Sequence, residues 1–404
     1  MLKLPLSIVQ IPAEHYSDYR YETIFKAYKW DPQVGDHNTI SHHAIIITPE
    51  AAQELSLFAK QLSCEIINME EALISRPDLY KTLGFSGKIK KHLGRISNYS
   101  RNENIRLMRF DFHPTDNGWK ISEVNSDVPG GLPEASVLPQ IAGKFFEGSI
   151  VGENVAQHIL NSFQAKLKPG SRIAFVHATS YADDRQVMQF LADCFEQNSF
   201  QTIFTDPSHI RWENRQPYCS LSGGNDKIDG IIRFFPLEWF ASLPRESDWR
   251  WYFDCNIPCC NHPVAMLAQS KRLPLVWDEL NVDISAWKKL LPETREPNAI
   301  QKDQVGWIYK PAFGRVGGGI SIKGTITEIE RLKIEKTARR QKGLWVAQNM
   351  FNSIPIEAQG DEKFHVCLGV FTVDANTAGF YARLSKTARM DEHAQDAPVL
   401  IGRV

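Results

Sequence analysis

The sequence has almost no charge imbalance: 46 Lys and Arg stand against 47 Asp and Glu, a formal net charge of -1. The absence of a basic field to attract a polyanion argues against non-specific nucleic-acid binding, and any anion site must be local. No apolar run reaches membrane-spanning length. The amino-terminal stretch is interrupted by Lys3, Pro5 and Pro12 and lacks the apolar core of a signal peptide. Cysteine is sparse and odd in number, seven scattered over 404 residues, which argues against a disulfide framework and fits a reducing, cytoplasmic setting. Cys255, Cys259, Cys260 and His262 do cluster, but Cys-x3-Cys-Cys-x-His has no second ligand pair and reads first as small buried residues. Two phosphate signatures are also missing. No Gly-Lys-Ser/Thr opens a helix, and the glycines do not fit the dinucleotide-binding spacing.

What is present is a globular composition, 43% hydrophobic and 11% aromatic, enough for two or three compact units. The most informative stretch runs from Arg106 to Asp127. It reads as two strands around Asp-Asn-Gly, a hairpin signal. Alternation puts Arg109 and Asp111 on one face and Met108, Phe110 and Phe112 on the other; on the return strand Glu123 and Asn125 share a face with Ile121, opposite Val124. A three-residue loop, 116–118, sets Asp111 opposite Glu123 and Arg109 opposite Asn125. Two carboxylates and an amide oxygen repel one another unless a cation lies between them, and hard oxygens suit Mg²⁺ or Mn²⁺. The alternative is a solvated face of cross-strand charge pairs.

Residues 1–95 read as mainly helical, with Thr48 capping a helix that starts at Pro49. His42 and His43 read as surface or capping histidines. Residues 172–177 read as a buried strand before a helix over 181–195, with Ser180, Asp183 and Asp184 as caps; 200–204 and 228–235 add strands to this small α/β unit. A helix is expected over 264–280, through Lys271. Strand 307–311 carries Lys310 into Gly314-Arg315-Val316-Gly317-Gly318-Gly319, followed by strand 320–322. Glycines in a turn leave backbone N–H groups free to approach oxyanions, although such a loop alone is also an ordinary flexible turn. Strand 344–348 and a second hairpin, 364–373 with 379–384, complete the pattern. Arg383 on its return strand reads as a phosphate contact or as a surface ion pair.

Taken together, Arg109-Phe110-Asp111, Glu123 to Pro129, Ile231 to Trp239, His262-Pro263 to Lys271, Lys310 to Arg315 and Gly379 to Arg383 resemble the synthetase domain of the glutathionylspermidine synthase family, ATP-grasp enzymes. The resemblance implies an α/β (α+β) ATP-grasp fold in the rearranged order that places the metal-binding hairpin before the glycine loop. The resemblance runs roughly from the hairpin to the last residues and, with the helical part to 95, gives the expectation of one catalytic unit over 1–404: a metal-binding hairpin region 96–170, a small α/β unit 171–260, a nucleotide lid 261–355 and a return to the catalytic sheet 356–404. By position, Asp111, Glu123 and Asn125 match its Mg²⁺ ligands, for two ions. Arg109 matches the arginine at the transferred phosphate and Arg383 a later one. Lys271 and Lys310 match the lysines on the ATP phosphates, Gly314, Arg315, Gly317, Gly318 and Gly319 match the covering loop, and Val346 to Gln348 match the segment lining adenine. Val128 and Val316 depart from the family's usual threonine and glutamate, which puts glutathione and spermidine in doubt as substrates but not ATP.

The implied activity is an ATP-dependent carboxylate-amine ligase working through an acyl phosphate. Its partners are ATP, a small-molecule or peptide carboxylate and an amine, with no nucleic acid and no membrane; oligomeric state is open. A phosphotransferase on the same scaffold, or a nucleotide-binding module without turnover, are the alternatives. The passages 129–134 and 389–398 are the expected substrate-pocket segments.

Overall fold

The computed structural model describes residues 5–403 except 31, 98, 222–225, 245, 302–303, 316 and 360–361. Val316 and the residues 1–4 considered above therefore lie outside the described residues. The centre of the molecule is an antiparallel sheet in the order Gln395–Ala397, Asn376–Ser385, Lys363–Val373, Leu107–Thr115, Gly118–Asn125, with Ile356–Glu357 also paired to Lys363–Val373. Two hairpins thus lie side by side, joined through Leu107–Thr115 and Lys363–Val373, which are more than two hundred residues apart in sequence. The second hairpin turns at Asp374 and Ala375, both with positive φ, as a two-residue connection between twisted strands requires.

The apolar face of this sheet presents Met108, Phe110 and Phe112, all buried, to the long helix Pro49–Ile74 and its neighbours in the main hydrophobic cluster. That helix begins as its sequence dictates: Thr48 accepts a hydrogen bond from Ala51 N, and Pro49 occupies the first turn. Its inward stripe includes Leu55, Leu62, Ile66 and Leu73. The first 95 residues also supply the strands Leu6–Gln10 and His43–Ile47, which join Val399–Ile401 and Ile150–Val151 in a second sheet. His43 is accordingly buried, packed on Phe364, rather than a surface histidine.

The segment 171–260 folds as a parallel sheet, Cys259–Cys260, Gly230–Arg233, Arg172–Val176, Gln201–Thr205, backed by the helix Ala182–Glu196. A three-stranded antiparallel sheet, Thr294–Arg295, Trp345–Asn349, Trp307–Pro311, is covered on one face by the helix Glu328–Arg340. Among the described residues no helix is long and apolar enough to cross a membrane.

Two expected elements differ. The helix expected over 264–280 is broken into short pieces: a 3-10 turn, Pro263–Ala265, runs into one α-helical turn, Met266–Gln269, which ends where Ser270 becomes extended, and two further 3-10 turns follow at Leu273–Leu275 and Trp277–Glu279. Ser270 Oγ there donates to Leu83 O and Lys271 N to Ala312 O, so tertiary hydrogen bonds replace helical ones. Residues 320–322 form no regular strand; Ser321 N donates to Tyr309 O, and Ser321 Oγ accepts from Tyr309 N at 2.7 Å.

Candidate active site

The first hairpin turns over two residues, not three, with Thr115 opposite Gly118. Two-residue registry alone would put Glu123 on the apolar face. A bulge between Asp111 and Phe112 adds one residue, Ser122, to the return strand and restores the pairings Asp111 with Glu123 and Arg109 with Asn125. Ile121, opposite Phe112, consequently belongs to the apolar face, where it is fully buried, and not beside Glu123.

On the polar face Arg109 grips Asp111, Nε to Oδ1 at 2.7 Å and a terminal nitrogen to Oδ2 at 3.0 Å, while Asn125 Nδ2 donates to Oδ2 at 3.1 Å. Arg109 also donates to Gly130 O at 2.6 Å and lies over the Tyr381 ring. It can lie flat because Gly369, opposite Asp111, has no side chain: a Cβ there would sit 2.8 Å from Arg109 Cδ.

Lysines from the later part of the chain meet this cluster. Lys271 Nζ pairs with Glu123 Oε2 at 2.9 Å and donates to Gly314 O at 2.7 Å. Lys310 Nζ donates to Ser122 O at 3.1 Å and to Gln348 Oε1 at 2.7 Å. Burial pushes the Glu123 carboxyl up, but Lys271 and Lys310 outweigh it and bring it down to about 2. Burial pulls the Lys310 ammonium down, Glu123 opposes this and Lys271 adds to it, leaving it at about 8.

These groups border a cavity of about 840 Å³. Arg109, Asp111, Glu123, Asn125, Lys310, Arg315, Gly317 and Arg383 all line it. Lys271 does not; it stands behind Glu123. Gly314, Gly318 and Gly319 are likewise absent from the wall, and Gly314 and Gly319 pack on Pro311. Val346 and Gln348 are buried on the face they share with Lys310, and the wall beside them is formed by Ile308, Met350 and Phe351. The glycine loop is docked at both ends. Arg315 pairs with Glu238 at 2.9 Å, and Gly317 lies against Met390 O with its own carbonyl accepting from Arg389 Nε at 3.1 Å. Arg383 donates to that same Met390 O at 2.9 Å.

Several wall residues were missed or misread from the sequence. His113 follows Asp111 on the same face, a position that alternation alone points to; its Nε2 meets Ser122 Oγ at 3.0 Å, and burial lowers it to about 4. Asp183 and Asp184 line the cavity, whereas the helix they begin is capped by Tyr181 without a side-chain bond. Burial raises Asp184 to about 6. Lys29 and Thr39, far upstream, had no motif to betray them. Both expected pocket passages reach the wall, through Gly130, Gly131 and Glu134 and through Arg389 to Glu392 and Asp396.

The donor set is chemically suited to a hard divalent ion: Asp111, Glu123 and, because its amide hydrogens face Asp111, the carbonyl oxygen of Asn125. Among the described residues no group of three or more His, Cys, Asp or Glu is arranged to hold a metal. Two carboxylates without a cage fit an ion that takes its remaining ligands from water and phosphate, as Mg²⁺ does.

The family model for glutathionylspermidine synthase preATP-grasp matches residues 14–402. No curated protein matches the chain. Among solved structures, a glutathione synthetase-like effector from Globodera pallida in apo form superposes with a TM-score of 0.59 at 10% identity, covering 89% of each chain. A putative gamma-glutamylcysteine synthetase from Methylobacillus flagellatus gives 0.43 at 11% identity, covering 83% of this chain and 86% of that one. The fold is thus a mixed α/β architecture of the ATP-grasp synthetase class, and the chain belongs to the glutathionylspermidine synthase preATP-grasp family.

Proposed function

We infer that the protein is an ATP-dependent ligase that joins a carboxylate to an amine through an acyl phosphate, the whole chain acting as one catalytic unit. The observation that carries this reading is the meeting of the Asp111, Glu123 and Asn125 cluster with Lys271 and Lys310 beside one large cavity. Lys310, buried, and Arg383, half-buried, are cations at the wall, suited to bind the ATP phosphates and to fix an in-line geometry. Lys271 orients Glu123 and ties it to the glycine loop. Asp111, Glu123 and Asn125 would hold Mg²⁺, or Mn²⁺, which supplies charge neutralisation on the β- and γ-phosphates. Arg109, turned toward the cavity by Asp111 and Gly369, stabilises the oxyanion as the amine attacks the acyl phosphate and phosphate departs. The glycine loop, seated on Arg389 and Met390, keeps water from the acyl phosphate. No side-chain nucleophile is needed.

Hydroxylamine tests the reading. With ATP, Mg²⁺ and a panel of amino acids and short peptides, a ligase releases ADP and phosphate and yields a hydroxamate from the correct acid. A stable phosphorylated product would instead make it a phosphotransferase, and ATP binding without ADP across the panel would leave a binding module.

A further inference from the structure

On the wall of the same cavity, across the Tyr381 ring from Arg109, stands a small ionic cluster assembled from three distant parts of the chain. Lys29, just after the helix Ala13–Lys26, pairs through Nζ with Glu134 Oε1 at 2.9 Å and Asp396 Oδ2 at 2.7 Å. Glu134 lies in the first turn of the helix Leu132–Ala142, and Asp396 on the edge strand Gln395–Ala397. The Tyr381 hydroxyl donates to Asp396 Oδ1 at 2.6 Å, and the ring of the same tyrosine carries Arg109 on its face, 5.1 Å from the centroid. One aromatic ring therefore separates the cluster from the arginine assigned to the reacting phosphate.

Both oxygens of Asp396 and one of Glu134 are engaged. Glu134 Oε2 is buried without a partner, on a side chain only 8% exposed that borders the cavity. Two carboxylates against one ammonium leave the cluster one negative charge and one unused acceptor. An incoming ammonium supplies both missing parts, whereas a second ammonium next to it would face Lys29.

We propose that Lys29 is a specificity-determining residue: it occupies one of two ammonium positions between Glu134 and Asp396, so that the cluster admits a single substrate ammonium, on Glu134 Oε2, and gives no advantage to a diamine. This rests on the ligase reading for its purpose, the choice of amine, but its test needs no turnover. Calorimetric titration of the unaltered protein, without nucleotide, compares propylamine with 1,3-diaminopropane, which is too short to reach a distant carboxylate. The expected result is equal affinity within about threefold. Lys29→Ala opens the second position, and diaminopropane should then bind at least tenfold more tightly than propylamine. Glu134→Gln, which keeps Lys29 and its contact with Asp396, should weaken propylamine at least tenfold, and it serves as the deciding measurement if Lys29→Ala does not fold. A tenfold preference for the diamine in the unaltered protein, a folded Lys29→Ala without that preference, or unchanged propylamine binding in Glu134→Gln overturns the proposal. Amine binding that behaves as expected while no acid yields ADP would retire the ligase reading and leave the ammonium site standing.

Discussion

Glu123 is the residue on which the two halves of the site converge, since it stands opposite Asp111 and is held by Lys271. Glu123→Gln keeps the shape and removes the charge. Metal-dependent ADP release should fall by two orders of magnitude or more while circular dichroism stays unchanged; an undiminished rate would remove Glu123 from the metal set. Lys310 makes a pH prediction. Its folded value, about 8, is below the ordinary lysine value, so it loses its proton as pH rises through 8. A neutral amine attracts a triphosphate less, and the dissociation constant for ATP should rise several-fold between pH 7 and 9 in the native protein, with a flat profile in Lys310→Arg. For stability the sign is opposite for the two groups. Glu123, lowered, contributes stability that is complete above about pH 4.5 and disappears as pH falls toward 2; Lys310, also lowered, costs stability below about 8, and that cost is relieved between 8 and 10.5.

The two hairpins were legible at the level of whole elements. Asp-Asn-Gly and alternation through Met108 to Phe112 are local signals, and the pairing of Asp111 with Glu123 came out as read, although both turns are two residues long where longer connections were expected. The route differed, because whether a chain takes a longer loop or a tighter loop plus a bulge depends on packing of Ile121 and Phe112 against the core, which no local pattern contains. The helix expected through Lys271 failed for a similar reason: apolar spacing continued, but bonds to Leu83 and Ala312 outcompeted it. Gly369 illustrates an element-level requirement that is silent in sequence. A methyl group there would meet Arg109 at 2.8 Å and Tyr381 at 3.1 Å, so Gly369→Ala should push the guanidinium off Asp111. The expected outcome is a loss of at least tenfold in kcat with far-UV dichroism retained; unchanged kinetics would mean that Arg109 needs no such fixed course along the strand.

At the scale of the molecule the site depends on how the parallel-sheet unit is fastened to the hairpin. Asp127, fully buried at the hairpin's end, pairs with buried Arg233 and accepts from Leu237 N. The nearby Arg106 likewise binds Glu70 of the long helix at 2.6 Å and Ser126. Asp127→Ala leaves Arg233 buried and unpaired, and denaturant unfolding should show a loss of about 3–5 kcal/mol. Removing the exposed pair Lys288 with Asp278 should change stability by less than about 1 kcal/mol. Equal effects of the two would show that the inter-element network contributes nothing special.

The sequence by itself determined the hairpins, the capped helix, the small α/β unit and the acidic and basic residue types of the site, because turn chemistry, alternation and capping act over a few neighbouring residues. Only the tertiary structure decided which of those residues share a cavity. It set Lys271 behind Glu123, buried Val346 and Gln348, brought Asp183 and Asp184 to the wall, and placed Lys29 between Glu134 and Asp396. Such meetings span hundreds of residues and are fixed by burial of the sheet faces and by ion pairs that exist only once those faces are covered, so no local pattern records them.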